Sequence, residues 1–373
     1  MIWILTAGFG DGHNTAARSV ADALTRLLPG EKVEVTDLIS DVMPRLATVL
    51  KAAYQAAIIH WPAAWRLTYK IVGSPKMTRQ DASWQLPLLR AMEQKLDEDR
   101  PRLIVTTYPV YSGVLAALRA KRDVPPIVTV ITDSVSVHPI WVAHPSDRFC
   151  VADDETVEVV EKLGVPREKI RVTGFPVSLA FTEELPPEAG PPLQRILYLP
   201  STPGRHVAAT LEALRPLLLS GVKLTLPVGK HGSRLYQVLR RFTDTMPPEC
   251  IEIIGWTKRI PEYLRTHDVV ICKAGGAILH EVLAARIPAV IDYVVPGQEE
   301  GNAEMLTSRG CGIRTHSPAE TGTAVASILA HDGAAGRRDL VDTVLDVDAR
   351  PAAEPDVRVA RRVDDDPEEE AAV

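Results

Sequence analysis

The stretch from Val269 to Leu306, VVICKAGGAILHEVLAARIPAVIDYVVPGQEEGNAEML, constrains the fold more than any other part of the chain. It opens on a β-branched run, Val269-Val270-Ile271, that reads as a buried strand. Lys273-Ala274-Gly275-Gly276 ends the strand, and Ile278, Leu279, Val282 and Leu283 then fall on one helical face. Ala289-Val290-Ile291, after Pro288, reads as a second short strand. A strand–glycine turn–helix–strand unit belongs to an open α/β sheet, where ligands sit at the carboxyl ends of the strands. The free N–H groups and dipole at the start of the helix suit a phosphate or diphosphate. Gly275 and Gly276 let that group approach the backbone with no Cβ in the way. Glu281, about one and a half turns into the helix, is placed to accept hydrogen bonds from ribose hydroxyls. The loop from Pro296 to Asn302 supplies Gln298, Glu299 and Asn302, whose amide and carboxylate groups suit sugar hydroxyls. A glycine pair alone equally permits close helix–strand packing; Glu281 and the polar loop tilt the reading toward a ligand.

A second turn of this kind stands at the amino terminus. Met1-Ile2-Trp3-Ile4-Leu5 is a strand that runs into Thr6-Ala7-Gly8-Phe9-Gly10-Asp11-Gly12-His13-Asn14, and Ala16, Ala17, Val20, Ala21 and Leu24 follow at helical spacing. The spacing is G-x-G-x-G-H, which departs from the G-x-G-x-x-G dinucleotide fingerprint and weakens a hydride-transfer reading. His13 falls at the helix start, where the dipole favours a neutral imidazole, the form a general base requires. A turn histidine bonded to a backbone carbonyl is the plainer alternative.

With 373 residues the chain is long enough for two domains. Its 46% hydrophobic and 24% charged residues are those of a globular protein. The net charge of −6 comes from the end of the chain: ten acids stand against four arginines from Asp346 onward, so the rest is balanced. No basic footprint for nucleic acid is present. The first strand leaves no room for a signal-peptide n-region, and no apolar run approaches the ~20 residues of a spanning helix. Cys150, Cys250, Cys272 and Cys311 are scattered, without metal-ligand spacing, and read as buried thiols in a reducing cytoplasm.

Between Pro44 and Arg90, seven basic residues face one acid, Asp81, and Trp61, Trp65 and Trp84 are interleaved with Tyr54 and Tyr69. Such a basic, aromatic, amphipathic segment suits the surface of an anionic bilayer; an ordinary helical excursion packed on the core is the alternative. Strands at Leu103–Thr107 and Ile127–Thr132 come next. Asp133, at the carboxyl end of the second, points into the crevice and is placed to orient His13, to act as base itself, or to cap the segment after Ser134. His138 and Trp141 are candidates for an acceptor pocket. Glu183 to Pro192 carries four prolines and reads as a linker. Beyond it a strand at Val222–Val228 leads to Gly229-Lys230, where Lys230 is either a phosphate partner or a solvated loop lysine. The expected organisation is an N-terminal domain over residues 1–182, the linker 183–192, a C-terminal domain over 193–345 and a disordered acidic tail over 346–373.

Several of these stretches resemble one family. The run from Lys273 to Asn302 is similar to the donor-site signature of the monogalactosyldiacylglycerol synthases and processive diacylglycerol glucosyltransferases, relatives of the peptidoglycan glycosyltransferase that makes lipid II. The Gly8–His13 turn, the Thr132–Val142 stretch and Gly174-Phe175-Pro176 resemble motifs of the same enzymes. Pro200-Ser201-Thr202-Pro203-Gly204 departs from the pattern, which has several glycines there. The resemblance implies a GT-B fold, two Rossmann-like domains facing a central cleft. It implies inverting transfer of a hexose from a UDP-sugar to a diacylglycerol-type lipid, with the UDP-sugar as substrate and no cofactor or metal. His13 would be the base, oriented by Asp133 or Asp11. Gly12, Lys230, Trp256, Lys273, Gly275, Gly276, Glu281, Gln298, Glu299 and Asn302 would hold the nucleotide-sugar, with Trp256 at the uracil. Trp61, Trp65, Trp84, His138 and Trp141 would meet the lipid acceptor at the inner face of the cell membrane. A nucleotide-sugar epimerase on the same fold and a non-catalytic sugar-nucleotide-binding protein are the alternatives.

Overall fold

The computed structural model describes residues 1–9, 11–60, 85–134, 136–184, 194–229, 232–295 and 299–330. The amino-terminal part contains β1 (Ile2–Leu5), α1 (Asp11–Leu27), β2 (Val33–Thr36), α2 (Leu38–Val42), α3 (Pro44–His60), α4 (Leu86–Asp99), β3 (Leu103–Thr106), α5 (Val110–Arg119), β4 (Ile127–Val130), β5 (Arg148–Val151), α6 (Asp154–Lys162) and β6 (Ile170–Val172). Its strands form one sheet in the order β2-β1-β3-β4-β5-β6. The carboxy-terminal part contains β7 (Arg195–Tyr198), α7 (Gly204–Leu219), β8 (Lys223–Pro227), α8 (Gly232–Thr243), β9 (Ile251–Ile254), α9 (Ile260–Thr266), β10 (Val269–Lys273), α10 (Gly276–Ala285), β11 (Ala289–Tyr293), α11 (Glu300–Ser308), β12 (Gly312–Arg314) and α12 (Pro318–Ala330). These strands form a second sheet, β12-β11-β10-β7-β8-β9. Neighbouring strands in both sheets run parallel.

Parallel strands need a crossover, and the helices that supply it cover both faces. This is why the strand sequences read as continuous apolar runs rather than alternating ones. In β1, Trp3 and Leu5 pack toward Met92, Tyr111 and Leu115, while Ile2 and Ile4 pack toward Ala17 of α1. In the second sheet, Ile196, Tyr198, Ile271 and Val290 face α7 and α12; Leu197, Val270, Cys272 and Ile291 face the layer of α9, α10 and α11. Each such fully buried large side chain contributes about 1.5–3 kcal/mol. β12, a three-residue edge strand, is too short to show a pattern in the sequence, and the reading above does not contain it.

The strand orders fix where a ligand can sit. In the first sheet the order reverses between β1 and β3, and in the second between β7 and β10. The crevice outside the carboxyl ends of strands at such a reversal is the binding position of open α/β sheets. The turn after β1 carries His13, and the turn after β10 carries Gly275. Both therefore open at reversal points. The chain passes between the sheets through Leu179–Thr182, where Phe181 is buried beside Tyr263 and Leu264 and the Arg265 guanidinium donates to the Ala180 carbonyl at 2.9 Å.

α12 lies on α7 at a point where no Cβ fits: one added at Gly322 would stand 2.8 Å from the Ala213 carbonyl oxygen. Backbone cannot yield there as a flexible side chain would. Gly322→Ala is expected to lower the unfolding free energy by about 1–3 kcal/mol through overpacking, read by urea denaturation. Unchanged stability would show that the two helices are not held this closely.

Candidate active site

The first glycine turn is pinned before it reaches His13. The Thr6 hydroxyl donates to Asn14 Oδ1 at 3.0 Å, and the Gly8 N–H donates to Asp37 Oδ2 at 3.0 Å. α1 then begins at Asp11, so His13 lies in its first turn. The His13 ring is half-buried, with Nδ1 2.8 Å from the Thr132 hydroxyl. Its backbone carbonyl accepts from the Thr107 hydroxyl at 3.2 Å. The edge of Tyr108 (centroids 5.1 Å apart) and the Trp141 ring (5.9 Å) close two sides. Burial pulls the His13 pKa below its ordinary value, against the opposing charge of Asp133 and a hydrogen bond to the Thr107 backbone. The imidazole is therefore neutral at neutral pH, mainly because it is desolvated.

Asp133 does not bond His13. Its Oδ2 accepts from Trp141 Nε1 at 2.8 Å and from the His138 N–H at 3.3 Å, while Thr132, one residue earlier, takes the imidazole. Of the three roles open to Asp133 in the sequence, its bonds are those of a local support that fixes Trp141 against His13. Trp141 is correspondingly buried, so its ring backs His13 rather than lining an open pocket. His138 is also buried and accepts the Ile140 N–H at Nδ1, capping the short 3-10 turn Pro139–Val142.

The second turn is built for close approach. Gly275 is the N-cap of α10, in extended conformation and with no side-chain cap, so no capping side chain satisfies the first N–H groups of that helix. Asn302 Nδ2 donates to the Ala274 carbonyl at 3.1 Å and holds the turn from behind. Lys273 Nζ pairs with Glu299, whose other oxygen accepts the Val295 N–H at 3.0 Å. Glu299 and Asn302 thus brace the turn in this structure. Glu281 is partly buried, and among the described residues it has no hydrogen bond or ion pair. Burial pushes its pKa up to about 7, against the attraction of Arg18 on α1.

The two turns meet. A Cβ added at Gly276 would come 3.4 Å from the Thr132 carbonyl oxygen, and one added at Gly12 would come 3.7 Å from the Ala277 Cβ. The start of α10 is therefore packed against the strand end that holds His13. His280 Nε2 lies 2.6 Å from the Ser134 hydroxyl across the same boundary, and its ring stacks on Phe175 at 4.3 Å. Arg309 reaches Asp153 at 3.5 Å. Sequence reading missed Thr132, Ser134, Phe175, His280 and Arg309, because each acquires its role only from a partner more than a hundred residues away.

The remaining candidates are dispersed or lie outside the described residues. Trp256 follows β9, the far edge of the second sheet, and is 65% exposed. That edge is three strand spacings, about 14 Å, from β10. Beneath the Ser201–Gly204 loop, the Tyr198 hydroxyl donates to buried Asp292 at 3.1 Å and His206 Nε2 lies 3.3 Å from the same oxygen. Lys230, Gln298, Trp61, Trp65, Trp84, the Asp11 side chain, most of the proline stretch and the acidic tail lie outside the described residues.

The Glu281 environment gives a signed pH dependence. A carboxyl whose folded-state pKa, about 7, lies above its ordinary 4.5 holds its proton more tightly in the folded chain. The stability this contributes is complete below the unfolded value and is lost as pH rises through the folded one. Glu281→Gln, which cannot ionise, should match wild type below about pH 4.5 and exceed it by on the order of 1–3 kcal/mol above about pH 7. Urea denaturation across that range checks this, and a pH-independent difference would contradict it.

Comparison with known proteins adds to this geometry. Residues 13–177 match the family model described as monogalactosyldiacylglycerol (MGDG) synthase. The chain is 27% identical over 348 residues to the processive diacylglycerol beta-glucosyltransferase of Bacillus cereus (strain 03BB102), covering 89% of this chain and 86% of that protein. Its fold is similar to the spinosyn rhamnosyltransferase SpnG complexed with thymidine diphosphate, with TM-score 0.60 and 15% identity over 93% of this chain and 96% of that one. It is also similar to MurG of Acinetobacter baumannii, with TM-score 0.56 and 15% identity over 97% and 98%. The chain is thus similar to the monogalactosyldiacylglycerol synthase family over residues 13–177 and to processive diacylglycerol glucosyltransferases over most of its length, and it has the GT-B fold.

Proposed function

We propose that the chain is an inverting glycosyltransferase that moves a hexose from a UDP-sugar to a diacylglycerol-type lipid. The observation that carries this reading is the contact between the two turns: His13 stands in the first turn of α1, and Gly12 beside it lies against Ala277 in the first turn of α10, whose N-cap has no side-chain cap and would receive the diphosphate. A base and a leaving-group site on opposite walls of one crevice are what in-line displacement at an anomeric carbon requires. The names of the relatives support a diacylglycerol acceptor; the UDP-sugar donor and inversion are part of the proposal itself.

In this reading the acceptor hydroxyl gives its proton to His13 Nε2 as its oxygen bonds to the anomeric carbon. The bond from that carbon to the diphosphate oxygen breaks, and the electron pair leaves with UDP. A base at Nε2 needs the ring proton on Nδ1, where the Thr132 hydroxyl accepts it. Positioned proton removal is worth ~10²–10⁴-fold. The amides at the start of α10 stabilise the charge on the departing diphosphate, an electrostatic role that calls for no metal ion. Glu281 lies further along the same helix, where ribose hydroxyls would give its isolated carboxyl the partners it lacks. Trp256, at the distant edge, is the place for the base.

The acceptor would arrive from a membrane surface. On α3, Leu46, Val49 and Leu50 are 40%, 63% and 42% exposed, at a spacing that puts them on one face, with exposed Arg45 beside them. Among the described residues no helix is long and apolar enough to cross a membrane. A peripheral position at the inner face, held by apolar contact and by anionic lipid, fits this surface.

His13→Ala should lower transfer of labelled hexose from UDP-hexose to diacylglycerol by about 10²-fold or more, while UDP affinity measured by calorimetry stays within a few-fold. Undiminished turnover would remove His13 from the mechanism.

A further inference from the structure

Among the described side chains of α3, Lys51 reaches the turn that carries His13. Ala47, one turn before it, is buried, so this face of α3 points inward while Leu46, Val49 and Leu50 point out. Lys51 Nζ donates to the Ser40 hydroxyl at 2.8 Å and to Asp37 Oδ2 at 3.3 Å. The same Asp37 oxygen accepts the Gly8 N–H at 3.0 Å and the Ser40 hydroxyl at 2.6 Å. Asp37 also caps α2 through Oδ1, which accepts the Ser40 N–H at 3.0 Å. The Lys51 ammonium lies 5.8 Å from the Phe9 ring centroid, and Phe9 stacks on Tyr108 at 5.7 Å, which in turn meets the His13 edge. A Cβ at Gly8 would stand 2.9 Å from Lys51 Nζ, so the turn and the lysine are in direct contact.

Burial works against ionisation of Asp37, yet the bonds from Ser40 and Gly8 and the charge of Lys51 outweigh it and hold the carboxyl below its usual range. An ionised carboxylate that joins a helix, a cap and a glycine N–H acts as a junction. Moving α3 moves the ammonium; moving the ammonium changes what holds Gly8 and Phe9, and these lead into His13.

We infer that Lys51 and Asp37 are a positioning pair for the transfer reaction, fastening the turn that carries His13 to the helix whose outer face meets the acceptor-bearing surface. This rests on the reading of α3 as the membrane face. Seating α3 on lipid would then align the base as well as concentrate the acceptor. Small displacements matter at this point, since about 1 Å of misplacement costs on the order of 10²-fold in rate.

The test uses the full chain with vesicles of phosphatidylcholine and phosphatidylglycerol containing diacylglycerol, and UDP-hexose as donor. Lys51→Met is expected to lower kcat by about tenfold or more, with the KM for UDP-hexose, vesicle co-sedimentation and the melting temperature unchanged. Lys51→Arg, which keeps the charge, should recover most of kcat. Asp37→Asn combined with Lys51→Met should cost little more than Lys51→Met alone, because residues acting as one unit are not additive. A Lys51→Met kcat equal to wild type overturns the pairing. So does a loss of turnover that tracks a loss of vesicle binding, which would make Lys51 a surface contact only. Wild type that transfers nothing to diacylglycerol overturns the acceptor reading and this inference with it, whereas an active wild type with an unaffected Lys51→Met variant overturns the inference alone.

Discussion

The close approach of two helix N-termini is the constraint on which the site depends. α1 and α10 belong to different sheets, and each begins at the carboxyl end of a strand where the sheet order reverses. Gly12 and Gly276 stand where they meet, and a Cβ at either would make an ordinary van der Waals contact, 3.7 Å from the Ala277 Cβ and 3.4 Å from the Thr132 carbonyl oxygen. The start of α10 lies against the Thr132 carbonyl, while the Thr132 hydroxyl holds His13. One residue therefore touches both halves of the site.

Electrostatics then follows from burial. His13 and His280 are both desolvated, and both imidazoles are pulled toward the neutral form, His280 down to about 4. Neutral rings in a dry boundary act as hydrogen-bond partners, His13 with Thr132 and His280 with Ser134. Lys273 and Glu299 are paired with each other. Among the described residues Glu281 has no hydrogen bond or ion pair, and the helix that carries it has no side-chain cap. In the proposed reaction, the ribose hydroxyls and the diphosphate of the donor would supply the partners these groups lack. The braces around these groups differ from the groups themselves: Asn302, Glu299, Asp133 and Trp141 spend their bonds on the protein.

Much of this was legible in the sequence. β-branched runs ending in glycine and followed by helical periodicity are local signals, and they located β1, β10, their turns and the helices after them. The parallel two-sheet architecture followed from that alternation. What the sequence could not show was which side chains meet across the boundary. Thr132 was visible only as the end of a strand, and nothing local marks it, rather than Asp133, as the partner of His13. The choice is made by geometry: the Ile131 N–H makes the last bond to β5, and beyond it Thr132 turns to the imidazole and Asp133 to Trp141. Lys51 was read as one charge in a basic amphipathic stretch, since its inward direction depends on Asp37, fourteen residues earlier in sequence and fixed by the turn after β2. β12 is too short to carry a pattern at all.

A cross-link measures the central contact most directly. The distance of 3.7 Å between the Cβ positions of residues 12 and 277 falls inside the range of about 3.5–4.5 Å that a disulfide spans. In the Gly12→Cys/Ala277→Cys variant, mild oxidation should join the two cysteines in most molecules, seen by mass spectrometry of the digested protein, and neither single variant should give the product. Failure of the double variant to close under conditions that oxidise both thiols would place the two turns apart, and the assignment of His13 to a shared crevice would fall with it.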